Sequence, residues 1–61
     1  MLEYFKLILQ KVSFDQNLFR DELQKAISKL MAEEILDLKK WCVETFGLGY
    51  CVKAVPGFSL Q

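Results

Sequence analysis

The stretch SKLMAEEIL (residues 28–36) decides how this chain folds, because its apolar residues change their spacing there without a glycine or proline. One apolar stripe ends at Leu30, and the next begins at Ile35. At about 100° per residue, a straight helix would place the centres of these two stripes roughly 70° apart. Either the helix breaks near Met31 and Ala32, or a continuous helix carries an apolar band that winds around it.

Glu33 and Glu34 favour the break, because carboxylates in a first helical turn stabilise the positive end of the helix dipole. The cap position holds no Ser, Thr, Asp or Asn, which weakens this interpretation. We expect the break, with the two helices folding back on one another. The expected fold is therefore all-α, with three short helices near 2–12, 15–30 and 32–46 in a small orthogonal or hairpin bundle.

The first helix is amphipathic, with apolar residues at spacings of three and four. This stripe consists of Met1, Leu2, Phe5, Ile8, Leu9 and Val12. Tyr4 and Leu7 lie together on a neighbouring flank, which makes that flank a candidate second contact surface.

The second helix has two candidate starting points. Asp15 can accept hydrogen bonds from the free N–H groups of the first turn, with Phe14 and Phe19 as a hydrophobic staple. Ser13 and Gln16 would instead form a capping box and shift the start by two residues. Either arrangement turns the chain here. The apolar stripe that follows contains Phe19, Leu23, Ala26, Ile27 and Leu30.

The third helix continues the apolar pattern to Phe46, and Gly47 is placed to end it as a left-handed C′ residue. Residues 1–46 would then form the helical domain. Residues 47–61 show only weak alternation and a Pro56-Gly57 turn signal, so we expect an extended, non-helical tail that is docked or partly disordered. Its high apolar content predicts that part of it docks on the helices or on a neighbour.

A chain of 61 residues with 52% apolar residues carries more apolar surface than a core of this size needs. The predicted core residues lie on the main stripes and are Phe5, Phe19, Leu23, Ile27, Leu38 and Trp41. The predicted interface residues lie off those stripes and are Tyr4, Leu7, Leu18, Leu36 and Val43. We therefore expect a homo-oligomer, with a dimer favoured.

The charge balance argues against nucleic acid and membrane partners. Eight Lys and Arg offset eight Asp and Glu, whereas a nucleic-acid binder normally carries a basic surplus. A small helix-turn-helix-like DNA-binding regulator remains the alternative, although its recognition helix would begin with Glu33 and Glu34. No apolar stretch approaches the about 20 residues that span a bilayer, and no signal peptide is recognised. We expect a cytoplasmic protein.

The residue types give little support to catalysis, metals or cofactors. The chain has no His, and its two cysteines, Cys42 and Cys51, cannot supply four zinc ligands. Cys42 has no histidine base to activate it, so we expect a buried core residue, with Cys51 incidental. The carboxylates of Asp21-Glu22 and of Glu33-Glu34 diverge on a helix and do not converge on a substrate. A non-enzymatic protein that acts through protein–protein contacts is expected.

The segments FDQNLFRDELQKAI (14–27) and EEILDLKKWC (33–42), followed by Phe46, resemble an uncharacterised family of short all-α bacterial proteins. The resemblance extends from residue 2 to residue 46 and implies no activity. Such sequences often carry proline where this chain has Ala32. The resemblance implies a turn at that point, although the residue that would enforce it is missing.

Overall fold

Four α-helices form this protein, which a computed structural model describes over residues 1–60. They are α1 (Leu2–Val12), α2 (Gln16–Lys29), α3 (Ala32–Phe46) and α4 (Leu48–Ala54). No strand occurs in those 60 residues. The predicted all-α class is confirmed, whereas the predicted count of three helices is one too low.

The connection between α2 and α3 consists of two extended residues. Leu30 and Met31 have ψ angles of 157° and 161°, which end one helix and redirect the chain before the next. The Met31 N–H donates to the Glu34 carboxylate at 3.1 Å. Met31 has no side-chain oxygen, so the Glu34 carboxylate supplies the oxygen that caps this helix start. The predicted break is confirmed. The expected folding of α2 and α3 back on one another is wrong, because α2 packs mainly on α1 and α4, and α3 packs mainly on α4.

The turn between α1 and α2 is fixed by Asp15. Its carboxylate accepts hydrogen bonds from the N–H groups of Asn17 at 2.9 Å and Leu18 at 3.3 Å, so it is the N-cap of α2. The Ser13 hydroxyl instead donates to the Gln10 carbonyl at 3.0 Å. The predicted Asp15 cap is therefore confirmed. The predicted staple is wrong, because the Phe14 side chain is 82% exposed.

The core is small and entirely apolar, because no polar or charged side chain is buried in residues 1–60. α1 packs along α2, α4 contacts both α2 and α3, and α1 also contacts α3. The ten buried residues are Phe5, Leu9, Phe19, Leu23, Ala26, Leu30, Leu38, Cys42, Cys51 and Ala54. All four helices contribute to one core.

An aromatic cluster joins three of the helices. The buried Phe19 ring of α2 lies 5.3 Å from the Phe46 ring of α3 and 5.1 Å from the Tyr50 ring of α4, each in an edge-to-face arrangement. The Tyr50 hydroxyl donates to the Ser13 carbonyl at 2.5 Å. This bond ties α4 to the turn between α1 and α2.

The prediction of a non-helical C-terminal segment is wrong. Residues Leu48–Ala54 form α4, and its Cys51 and Ala54 side chains are 0% and 1% exposed. The two residues are small, so the short helix can approach the core closely. Beyond α4, the Phe58 N–H donates to the Val55 carbonyl at 2.9 Å, and the Phe58 side chain packs against the core. Gln61 lies outside the described residues.

Two of the predicted core residues are not fully buried. Ile27 is 36% exposed, because it lies at the edge of the α2 stripe whose centre is formed by Leu23 and Ala26. Trp41 is half-buried at the rim of the core, where its ring contacts Phe46 at a centroid distance of 5.4 Å. The other four predicted core residues are buried: Phe5, Phe19, Leu23 and Leu38.

Gly47 separates α3 from α4 and serves both helices. Its N–H donates to the Val43 carbonyl at 2.9 Å, and its own carbonyl accepts from the Cys51 N–H at 3.2 Å. Its φ of 89° is positive, as predicted, but its ψ of 148° is extended rather than left-handed helical. Residues with a side chain rarely adopt this backbone conformation.

Replacing Gly47 with Ala should destabilise the fold by about 1–3 kcal/mol through backbone strain alone. A Cβ at this position meets no atom within 4 Å, so a steric clash does not contribute. The matched control is Gly49→Ala within α4, which also has open space and should stabilise by about 0.5–1 kcal/mol. Urea denaturation of both variants measures the difference, and equal effects would contradict the assignment of strain to Gly47.

Candidate functional site

The surface carries many large apolar side chains for so small a protein. Eleven of them are exposed within residues 1–60, against ten residues in the core. They are Met1, Tyr4, Leu7, Phe14, Leu18, Ile27, Met31, Leu36, Leu48, Val52 and Leu60. Single exposed hydrophobic residues are ordinary, whereas grouped ones mark interaction surfaces. The grouping of these side chains therefore decides where a functional site lies.

An apolar groove lies where the first half of α3 meets the C-terminal segment. It has a volume of about 220 Å³ and is lined by Ala32, Ile35, Leu36, Lys39 and Leu60. Four of these five side chains are apolar, and the Lys39 stem can lie along the wall while its ammonium reaches water. The groove is therefore suited to an apolar side chain rather than to a charged ligand.

The predicted interface residues are distributed over separate parts of the surface. Tyr4 and Leu7 are 56% and 52% exposed on α1, and Leu18 is 42% exposed on α2. Leu36 is 40% exposed and lines the groove of α3. Val43 is half-buried and packs against the core, so less of its side chain is available to a partner. The described contacts do not bring the five residues into one patch.

Leu18 lies in a different depression, on the outer face of α2. This depression is larger, at about 530 Å³, but its lining is mostly polar and charged. Its residues are Leu18, Asp21, Glu22, Gln24, Lys25 and Ser28. Lys25 and Glu22 pair with one another at 3.2 Å, and Ser28 donates to the Lys25 carbonyl. Three of the six side chains, those of Glu22, Lys25 and Ser28, bond to each other or to their own helix, so the groove on α3 is the better candidate site.

Of the five groove residues, only Leu36 was among the predicted interface residues. The other four were missed: Ala32, Ile35, Lys39 and Leu60. Ala32 is too small to attract attention by its apolar character, and Leu60 belongs to a segment whose path was unknown. The high apolar content of the tail was the available signal, since it predicted docking on the helices. The position of Leu60 against α3 follows from the path of the chain after α4.

The two cysteines are free thiols and form part of the core. Burial, followed by the neighbouring Cys51, raises the pKa of the Cys42 thiol to about 12. Burial also raises the pKa of Cys51. A protonated thiol is a poor nucleophile, so neither residue is prepared for catalysis. The expectation that Cys51 is incidental is wrong, because its side chain is 0% exposed beside Cys42.

The acidic and sulfur ligands of the chain are dispersed. Across residues 1–60, no three His, Cys, Asp or Glu side chains come together in a group that could hold a metal ion. The helices of this part of the chain are too short or too polar to cross a membrane.

Comparison with known proteins finds no matching family model, curated protein or solved structure. The resemblance to short all-α bacterial proteins therefore stays a prediction. The candidate site depends on its geometry alone.

The free energy of unfolding should fall as the pH rises above about 9. The unfolded Cys42 thiol ionises near its ordinary value of 9.0, whereas the folded thiol stays protonated up to about pH 12. Unfolding then releases a proton, which lowers stability by about 1.4 kcal/mol per pH unit per thiol. Burial, Asp15 and Cys51 raise the pKa of Tyr50, which acts in the same direction.

Urea denaturation between about pH 8 and pH 11 measures this dependence, since ordinary thiols ionise in that range. The free energy of unfolding should fall less steeply with pH in Cys42→Ala than in the wild type. This comparison of slopes holds even if the variant is less stable at about pH 8. An identical slope in the two proteins would contradict the burial of a protonated Cys42.

Proposed function

We propose that this chain is a small non-enzymatic protein that acts through protein–protein contacts and forms a homodimer. The observation that carries the proposal is the apolar surface, where eleven large hydrophobic residues are exposed against ten residues in the core. The groove of α3 concentrates part of this surface in one place, with Ala32, Leu36 and Leu60 side by side.

Loose folding does not account for this exposure. The accessible surface of 4000 Å² is close to the about 4,100 Å² expected for a compact monomer of 7.1 kDa. The chain is therefore as compact as an ordinary monomer of this size, and the exposed apolar residues are surplus to the core. Association of a second chain is a common way for such a small protein to cover its apolar surface.

The ionisable groups support a non-enzymatic function. The chain has no His, and burial holds the Cys42 thiol in its protonated form. Aspartate and glutamate side chains are all at least partly exposed to water. A protein with two free buried thiols fits a reducing compartment, so we place it in the cytoplasm.

DNA binding by α2 and α3 has weaker support. The first turn of α3 would be the part of a recognition helix that enters the major groove, and it carries Glu33 and Glu34. These carboxylates repel phosphates, and the chain has no net positive charge to offset them. A mobility-shift assay at low salt with unrelated duplexes tests this alternative.

Leu36→Lys should weaken self-association by at least about tenfold, because it places a charge on the apolar wall of the groove. Because the Leu36 side chain is exposed and not part of the core, the variant should keep its helices folded. Sedimentation velocity over a dilution series measures the dimer, and circular dichroism measures the helix content.

Leu48→Lys is the matched control, since Leu48 is exposed at the start of α4 and does not line the groove. It should leave the association constant unchanged. A wild-type chain that stays monomeric at the highest concentration would overturn the proposed function. Val43→Lys is not a suitable test, because the half-buried Val43 contacts the core and its replacement would destabilise the fold.

A further inference from the structure

On the exposed side of α3, Glu33 precedes Leu36 and Lys40 follows it, while Asp37 lies farther round the helix, about 100° from Leu36. Glu33 and Lys40 are both exposed, and neither forms a salt bridge within residues 1–60. They are seven residues apart, so they lie within about 20° of one another around the helix. Both are on the same flank of Leu36, about 40–60° from it. Ala32 and Lys39 lie about 40–60° from Leu36 on the opposite flank, so the groove borders Leu36 on one side and the two charges border it on the other.

We propose that this face of α3 binds the same face of a second copy of the chain in an antiparallel arrangement. Leu36 would lie beside the two-fold axis, with Glu33 opposite the partner's Lys40 and Lys40 opposite the partner's Glu33. This inference rests on the proposed homodimer and specifies its interface.

The spacing along the helix suits this arrangement. With a rise of 1.5 Å per residue, Glu33 lies about 4.5 Å before Leu36 and Lys40 lies about 6 Å after it. Turning a second copy end to end about Leu36 brings its Lys40 within about 1.5 Å of the level of Glu33. A two-fold axis perpendicular to both helices keeps equal flanks facing each other, so both ion pairs form on one side.

The parallel arrangement cannot form these two ion pairs. The two-fold axis of a parallel pair runs along the helices, so it places the flank that carries Glu33 and Lys40 opposite the other flank of the partner helix. Opposite charges at flanking positions select the partner and its orientation. Glu33 and Lys40 of two copies therefore pair with each other only when one copy is reversed.

The apolar part of the face is also suited to a second copy. The groove of about 220 Å³ exceeds the about 150 Å³ of a cavity that accommodates benzene, so it can receive an apolar side chain. Leu36 and Leu60 border the groove and are 40% and 39% exposed. In a symmetric dimer each chain offers both the groove and the side chains that enter it.

Charge reversal tests this interface without changing its apolar residues. Glu33→Lys produces a chain with cations at both positions, and Lys40→Glu produces one with anions at both. Each variant alone should dimerise roughly tenfold more weakly than the wild type, because two ion pairs become two repulsions. An equimolar mixture should form the heterodimer, and the double variant with both reversals should recover the wild-type dissociation constant.

Asp21→Lys on α2 and Lys53→Glu on α4 are the matched controls, since they change the net charge equally at exposed positions outside this face. They should leave the dissociation constant unchanged. Sedimentation equilibrium at low ionic strength measures all the variants, with circular dichroism as the control for folding. A wild-type dimer that neither single reversal weakens would overturn the antiparallel interface and leave the proposed homodimer intact. A monomeric wild type would overturn both.

Discussion

The packing of Phe19 is the interaction on which the other elements depend. Its ring is fully buried and touches aromatic rings from α3 and α4, so a single side chain of α2 holds three helices together. The Asp15 cap sets where α2 begins and therefore where Phe19 lies along it. The Tyr50 hydroxyl in turn donates a hydrogen bond to the Ser13 carbonyl, in the turn just before Asp15. The local Asp15 cap and the long-range contacts of Tyr50 thus both fix the start of α2.

The features that sequence could predict are those with a local physical cause. The Asp15 carboxylate needs only the N–H groups of the next turn, and the break before α3 follows from a change in apolar phase that a straight helix cannot satisfy. Glu34 replaces the missing cap residue by accepting the Met31 N–H, which a search for Ser, Thr, Asp or Asn overlooks. The centre of the α2 stripe was likewise predictable from spacing.

The features that sequence could not predict depend on the finished fold. The seven residues of α4 include a glycine and have no side-chain cap, so its helical state depends on the burial of Cys51 and Ala54. Phe14 lies next to a correctly predicted cap and still faces solvent. The candidate site shows the same division. Leu36 was predicted from its position off the stripe, whereas Leu60 joins it only through the path of the chain after α4.

The small core explains why the surface should matter to function. Four short helices around Phe19 enclose only ten buried residues, two of which are alanines and two cysteines, so further apolar side chains must lie outside. Their surroundings then distinguish them. Leu18 lies beside the salt bridge between Glu22 and Lys25. Leu36 instead adjoins other apolar residues and lies near Glu33 and Lys40, which form no salt bridge within residues 1–60. The polar surface around Leu18 is well suited to water. The surface around Leu36 is better suited to a second protein surface, which could cover the apolar groove and supply opposite charges to Glu33 and Lys40.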